Sequence, residues 1–375
     1  MNVLSDSRER VIFYANKYVG LPMHDVIVVG AGPSGSFAAM KCAEYGLDVL
    51  LLDSEKFPRD KACGGVIGEK GIELIGGDVM SVVECEGTGN DFFYDWKYIG
   101  SLGTHQYFVK RRRFDHYMVG KAVAAGAEFM EGIKATCLGI SSDKTVVRTT
   151  AGDFVSNIVV AADGINSTIG RSIGLSHYDD ICRYASIKAE VDVSHAKGRD
   201  LGVEDPNRQR TYFFSDLLGF AWVVPNNGSV NVGYGSTVSK ANDLKARFHL
   251  FLAKLALAPQ FERGAQIPFM TTKRVYAERV LLTGDAGGFV NPWTGCGIDE
   301  GIAASEKAAL ICKKAVDAQE YSPAILSSYQ EICRESIRRI SRRGRWIKAL
   351  DRLVPKGAGL PFWTEYLVRR LRGIA

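Results

Sequence analysis

From residue 24 onward the chain alternates short apolar runs with glycine-bearing turns, and this pattern assigns its first elements. His24-Asp25-Val26-Ile27-Val28-Val29 is a β-branched run that breaks into glycine, as a buried parallel strand does on entering a tight turn. Residues 34–45 follow as a helix stopped by Gly46, and Asp48-Val49-Leu50-Leu51-Leu52 reads as a second buried strand closed by Asp53. Together they make a βαβ unit. Residues 114–125 predict another helix, 126–129 a return to strand, and 144–162 two β-rich runs ending at Asp163-Gly164. Between about 176 and 272 the pattern changes to alternating strands with polar turns. There 220–224 and 230–234 flank Asn226-Asn227-Gly228 as a hairpin within an antiparallel sheet. After Val280-Leu281-Leu282 a glycine-rich segment leads into helix up to the end, and residues 1–23 carry no strong pattern.

Composition narrows the class. A chain of 375 residues, 46% hydrophobic and 24% charged, is ordinary for a globular protein with two interleaved units. Forty glycines gathered in a few turns point to backbone brought close to a ligand. The eight cysteines are scattered, with no C-x-x-C pair and no Cys/His cluster, so no metal is expected. No leader pattern and no run of 18 apolar residues occurs, which reads as a cytoplasmic protein without a membrane span. The formal charge of +5 is uneven: from 334 to 375 there are twelve Lys/Arg against Glu335, Asp351 and Glu365. That segment is either a solvated helical tail or a peripheral contact with anionic lipid, and nucleic acid is not expected as a partner.

The chemistry begins at Gly30-Ala31-Gly32-Pro33-Ser34-Gly35. A lone G-x-G-x-x-G is weak, but here it joins a predicted strand to a predicted helix, and an acid closes the next strand 18 residues after Gly35. Gly30 allows the turn, Gly32 lets backbone approach a pyrophosphate, and Gly35 lets helix and strand pack closely. Ser34 lies in the first helical turn, where free N–H groups and the dipole favour phosphate. Asp53 is placed to accept from ribose hydroxyls.

In four ordered motifs from about 24 to 309 the chain resembles the geranylgeranyl reductase family of flavoproteins, which is similar to p-hydroxybenzoate hydroxylase. The first is the glycine turn through Asp53. The second, Lys61-Ala62-Cys63-Gly64-Gly65, resembles the segment beside the flavin. The third, Val109-Lys110-Arg111-Arg112-Arg113-Phe114-Asp115, is similar to V-x-R-x-x-F-D, in which the arginine contacts FAD. That role falls on Arg111, with Arg112 and Arg113 as alternatives. The fourth is Gly284-Asp285-Ala286-Gly287-Gly288-Phe289 with Pro292 and Gly295-Cys296-Gly297-Ile298. The resemblance implies FAD as cofactor, Asp285 on the ribityl chain, Gly297 and Ile298 against the isoalloxazine, and Ala62, Cys63, Gly65 and Ala135 among the cofactor contacts. Asp163-Gly164, with Asn166 and Ser167, also resembles a flavin-supporting segment, although a plain strand-end turn accounts for it equally.

The fold so implied is α/β: a Rossmann-type FAD-binding unit from 24–95, 107–175 and 273–315, an inserted antiparallel substrate sheet over 176–272, and a helical region over 316–375. A single G-x-G-x-x-G and no C-x-x-C argue against a disulfide reductase. Phe220-Ala221-Trp222-Val223-Val224-Pro225 resembles the Y-x-W-x-F-P motif lining the family's lipid pocket, departing at Phe220 and Val224; Cys296 stands where the family has a glutamate. The implied activity is saturation of prenyl-chain double bonds in a lipid or isoprenoid by hydride from reduced flavin. The expected electron donor is NADPH, a ferredoxin or a deazaflavin. Phe220, Trp222, Pro225 and Pro292 are the expected pocket residues, and Cys63 is the candidate proton donor. A flavin monooxygenase or halogenase is the alternative; a halogenase calls for W-x-W-x-I-P, whose first tryptophan is Phe220 here, and a lysine in its tunnel. A flavin-bearing redox sensor is the non-enzymatic alternative.

Overall fold

The computed structural model describes residues 20–175, 182–192, 207–215 and 219–353. The chain opens with β1 (Met23–Val29), α1 (Pro33–Glu44) and β2 (Val49–Asp53), the two strands parallel and in register from Val26↔Val49 to Val29↔Leu52. Every residue of β2 is buried, which explains why its sequence is a continuous apolar run with no alternation.

The next segment leaves this layer. β3 (Val66–Gly68) and α2 (Glu69–Ile75) lead to a long hairpin, β4 (Val83–Tyr94) and β5 (Lys97–Val109). The hairpin turns on Asp95 and Trp96, with φ of 45° and 70°, the double positive φ of a type I′ turn made here without glycine. Tertiary contacts hold it: Asp95 N–H donates to Phe213 O at 3.0 Å, and the Trp96 ring packs 5.3 Å from Phe251. Then α3 (Arg111–Ala124) returns the chain to β6 (Glu128–Glu131), parallel to β2. β7 (Ala135–Ile140), β8 (Thr145–Thr149) and β9 (Gly152–Ala161) form a meander whose last strand runs parallel to β1 on its other side, followed by the short α4 (Thr168–Ser172).

β10 (Arg183–Asp192), β11 (Arg208–Phe213), β12 (Gly219–Asn226), β13 (Ser229–Thr237), α5 (Leu244–Lys254) and β14 (Glu262–Pro268) complete a second sheet of order β14-β10-β13-β12-β11-β4-β5-β3. Its pairings are antiparallel except β11 with β4. The expected hairpin is present, with Asn226 opposite Ser229. β15 (Tyr276–Ala277) and β16 (Val280–Leu282) rejoin the first sheet beside β9, and α6 (Gly284–Gly287), α7 (Ile298–Ala318), α8 (Pro323–Ile332) and α9 (Arg334–Leu353) end the described chain.

The architecture is α/β with two sheets and C-terminal helices. The strands at 66–68 and 83–109, within and beside the segments the sequence reading gave to the cofactor unit, pair instead into the second sheet. The sequence reading named no strands there, and the pair carries the interior glycines Gly87 and Gly89. Gly87 is required there, because the Phe108 ring lies where its Cβ would be. One core cluster lies under α1, α3 and α7, and another joins one face of the second sheet to Phe248, Phe251 and Leu252 of α5.

Candidate functional site

The glycine turn is built by collisions that side chains would make. Gly30 has φ 101° and its missing Cβ leaves room for the Ala162 carbonyl; a Cβ at Gly35 would strike the Gly30 carbonyl. Gly32 is different: the nearest atom to a Cβ there is Arg59 Nη2, at 3.8 Å, so backbone is open toward a ligand. It stands at the N-terminus of α1, which no side chain caps and whose N–H groups are therefore available to an anion. Ser34 points inward, its hydroxyl packed against Gly284 and Gly301. Asp53 braces the turn: one carboxylate oxygen accepts Ala31 N–H at 2.7 Å and the other Glu55 N–H at 2.9 Å. Ala135 opens β7 close by, two residues after Ile133, whose N–H donates to Asp53 O at 2.8 Å.

Beside the turn lies a buried hub that sequence reading missed. Asp115 is fully buried and takes two bonds from Arg111, at 2.6 and 2.7 Å, and one from Arg59 at 2.9 Å. Arg59 also stacks on Phe57 and lies 3.8 Å from Asp53. Burial opposes the charge of Arg111, but the Asp115 carboxylate and the neighbouring Cys63 outweigh it and hold the guanidinium protonated above its ordinary range. Arg112 is exposed and Arg113 pairs with Glu84 at 2.6 Å; the inward arginine of the run is Arg111.

Cys63 lies in the loop before β3, its Sγ accepting Gly65 N–H at 3.4 Å, and Ala62 precedes it without regular structure. Gly65, with φ 73°, presses against the Val109 carbonyl. Across the site Asp285, in α6, faces Lys61 at 3.7 Å and Gly297, which precedes the uncapped N-terminus of α7. Ile298 is buried as the first residue of that helix. Asp299 accepts Gly68 N–H and receives the Cys296 thiol at 3.6 Å. Burial and the Asp299 carboxylate push Cys296 well up, so it stays a neutral thiol, and burial likewise raises Asp299. Asp163 caps α4, accepting Thr168 N–H at 2.7 Å and Ile169 N–H at 3.1 Å, while its backbone backs Gly30. These bonds form a strand-end turn, and the turn also buttresses the glycine loop.

The second sheet presents one face to this loop. Phe220, Trp222 and Val224 alternate onto it. The Trp222 indole lies over Gly233, where a Cβ would overlap it, and 3.6 Å from a Cβ position at Gly64. Asn231 ties the layers: its Oδ1 accepts Trp222 Nε1–H at 2.9 Å and its Nδ2 donates to Cys63 O at 2.9 Å. Phe220 approaches Gly295, and Pro292 O accepts the Tyr184 hydroxyl at 3.2 Å. Pro225 is not part of this group. It pairs with Val230, which belongs to the α5 side of the sheet; its position is offset by an odd step along the strand from Phe220 and Trp222, and strand alternation turns it away. Asn231 was missed because its partner lies 168 residues away in the chain.

Two uncapped helix N-termini, an open glycine backbone and an inward carboxylate fit the pyrophosphate, flavin ring and sugar-like chain of FAD. The family model described as FAD binding domain matches residues 23–344. A digeranylgeranylglycerophospholipid reductase of Methanopyrus kandleri is 31% identical over 348 residues, covering 84% of this chain and 87% of that protein. A menaquinone reductase of Mycobacterium tuberculosis is 29% identical over 310 residues, covering 76% and 75%. Among solved structures, a geranylgeranyl bacteriochlorophyll reductase-like protein of Thermoplasma acidophilum shares the fold, with TM-score 0.77, 24% identity, and 89% and 91% of the two chains covered. The chain belongs to the FAD-binding flavoproteins of the geranylgeranyl reductase family, as an FAD-dependent oxidoreductase.

Proposed function

We propose that this protein saturates carbon-carbon double bonds in the prenyl chain of a lipid or isoprenoid. The observation that carries the reading is the aromatic wall of Phe220 and Trp222, fixed against the Cys63-Gly64 loop by Asn231. An isolated alkene offers no carbonyl for a protein donor to grip, so such a site works by apolar packing and exclusion of water. The relatives' names, a digeranylgeranylglycerophospholipid in one and menaquinone in the other, support a substrate of this kind.

In this reading Gly30, Gly32 and Gly35 bring backbone to the pyrophosphate at α1, and Asp53 holds the turn. Asp285 binds the ribityl hydroxyls. The α7 end at Gly297 and Ile298 would hold the flavin ring, where its positive dipole would favour negative charge. Arg111 and Arg59 supply cations fixed by Asp115. The chemistry FAD supplies when bound and reduced is hydride donation. Cys63 is our candidate for the proton, as its Sγ lies beside Arg111. NADPH, a ferredoxin or a deazaflavin would serve as donor. We further infer peripheral membrane contact through α9; among the described residues no helix is long and apolar enough to cross a membrane. Incubation with a reductant and a geranylgeranyl lipid, followed by mass analysis, tests the activity: products heavier by two hydrogens per saturated bond are expected, and recovery of unchanged lipid from flavin-loaded, reduced protein refutes it.

One observation favours a second reading as an oxygen-using monooxygenase or halogenase: a buried lysine, Lys188, on the same face as Trp222. Phe220 in place of the first tryptophan of W-x-W-x-I-P counts against it. Incorporation of oxygen or halide into an apolar aromatic compound would establish that reading.

A further inference from the structure

Lys188 sits in the middle of β10, in register with Gly233 of β13, which is in register with Trp222 of β12. Neighbouring strands are about 4.8 Å apart. Because Gly233 has no side chain and the indole fills its place, the lysine and the indole are neighbours on the face turned to the Cys63 loop. Lys188 is 6% exposed. Its one ionic partner among the described residues is Asp60, with Nζ 3.6 Å from Oδ1, beyond a good hydrogen bond. Asp60 already accepts Lys61 N–H at 2.9 Å and faces Arg263 at 3.8 Å. The other acid on this face, Glu190, is occupied by Asn226 and Ser229, at 2.7 and 2.8 Å, and by Asn231.

An ammonium has three donors and no acceptor. Here the charge of Lys188 is balanced by Asp60 at a distance, and its Nζ is not sealed within the protein, so its donors can reach a ligand in front of this face. A strong partner for such an ammonium is an anionic oxygen arriving with a ligand. Phe220 and Trp222 supply an apolar wall on the same side, so the ligand is amphipathic.

We propose that Lys188 binds a phosphate oxygen at the polar end of the prenyl substrate, fixing which end of the chain lies beside the Cys63 loop. The inference rests on the prenyl-reductase reading. It assigns Lys188 to substrate recognition and leaves hydride and proton transfer to other groups.

The test uses FAD-loaded protein as wild type, Lys188→Met and Lys188→Arg. Each is titrated with geranylgeranyl diphosphate, with a head-less geranylgeranyl hydrocarbon and with inorganic pyrophosphate, reading the absorbance of the bound flavin. The Met variant should bind the diphosphate at least about tenfold more weakly and the Arg variant within about threefold of wild type, since a bond to a charged group is the difference. Affinity for the hydrocarbon should be unchanged in both. Competition by pyrophosphate would assign binding to the head alone, whereas no competition would mean the head needs its chain; both sustain the proposal while the Met defect is specific to the phosphate ligand. Equal losses for diphosphate and hydrocarbon, unchanged diphosphate affinity in the Met variant, or loss of FAD from it would each overturn the assignment. Wild-type protein that binds and reduces neither lipid would instead refute the prenyl-reductase reading beneath it.

Discussion

At the scale of single residues, Asp115 and Asp299 carry the sharpest consequences. Asp115 is an acceptor for two guanidinium groups in a place water does not reach. Asp115→Asn keeps the volume but strands both charges, so equilibrium urea unfolding should show a loss of about 3 kcal/mol or more, accompanied by weaker FAD retention. Asp299 has its carboxyl raised by burial, so the native state holds a proton that the unfolded chain releases at ordinary carboxylate pH. The native state then binds more protons, and stability falls as pH rises from about 4 through the raised value. Asp299→Asn removes that contribution, and thermal melts across this window should decline less steeply for the variant; an identical slope would contradict the assignment. These residues mark the limit of sequence reading. Arg111, Cys63 and Asp285 stand in local motifs and could be named from sequence as candidates. Arg59, Asn231 and Lys188 act through partners distant in the chain, and no local spacing announces them.

At the scale of elements, the strand-turn-helix at β1 and α1 was legible because its parts are continuous in sequence and the glycines obey local sterics. The hairpin of β4 and β5 was not. Its Gly87 makes room for the Phe108 ring, and its turn uses Asp95 and Trp96 where Asn-Gly would have signalled it. For α9 the sequence showed the charge but not its disposition: Ile340, Gly344 and Ile347 face inward while Arg338, Arg342, Arg345 and Trp346 are exposed. The basic residues Lys356, Arg369, Arg370 and Arg372 lie outside the described residues. We expect co-sedimentation with vesicles containing anionic lipid, weakened by salt. Replacing Arg338 and Arg342 together with glutamine should reduce partitioning by roughly thirtyfold, at about 1 kcal/mol per basic side chain near the surface. Equal recovery on neutral vesicles would contradict a membrane role for this helix.

At the scale of the whole molecule, two sheets meet over one loop. α9 spans both, with Asp351 accepting Thr237 Oγ1–H at 2.6 Å on the second sheet and Arg339 pairing with Glu300 of α7 at 2.6 Å. The layer that binds FAD and the layer that offers aromatic surface are thereby held in one relation, and that relation is what the proposed chemistry needs. Its most direct test is an anaerobic single turnover. The flavin of the purified protein is reduced with dithionite, freed of excess reductant and mixed with a geranylgeranyl lipid. Return of the oxidised flavin spectrum, with one saturated double bond formed per flavin, is the predicted result; a flavin that stays reduced in the presence of the lipid and reoxidises only on admission of oxygen, forming a long-lived adduct, would contradict the account.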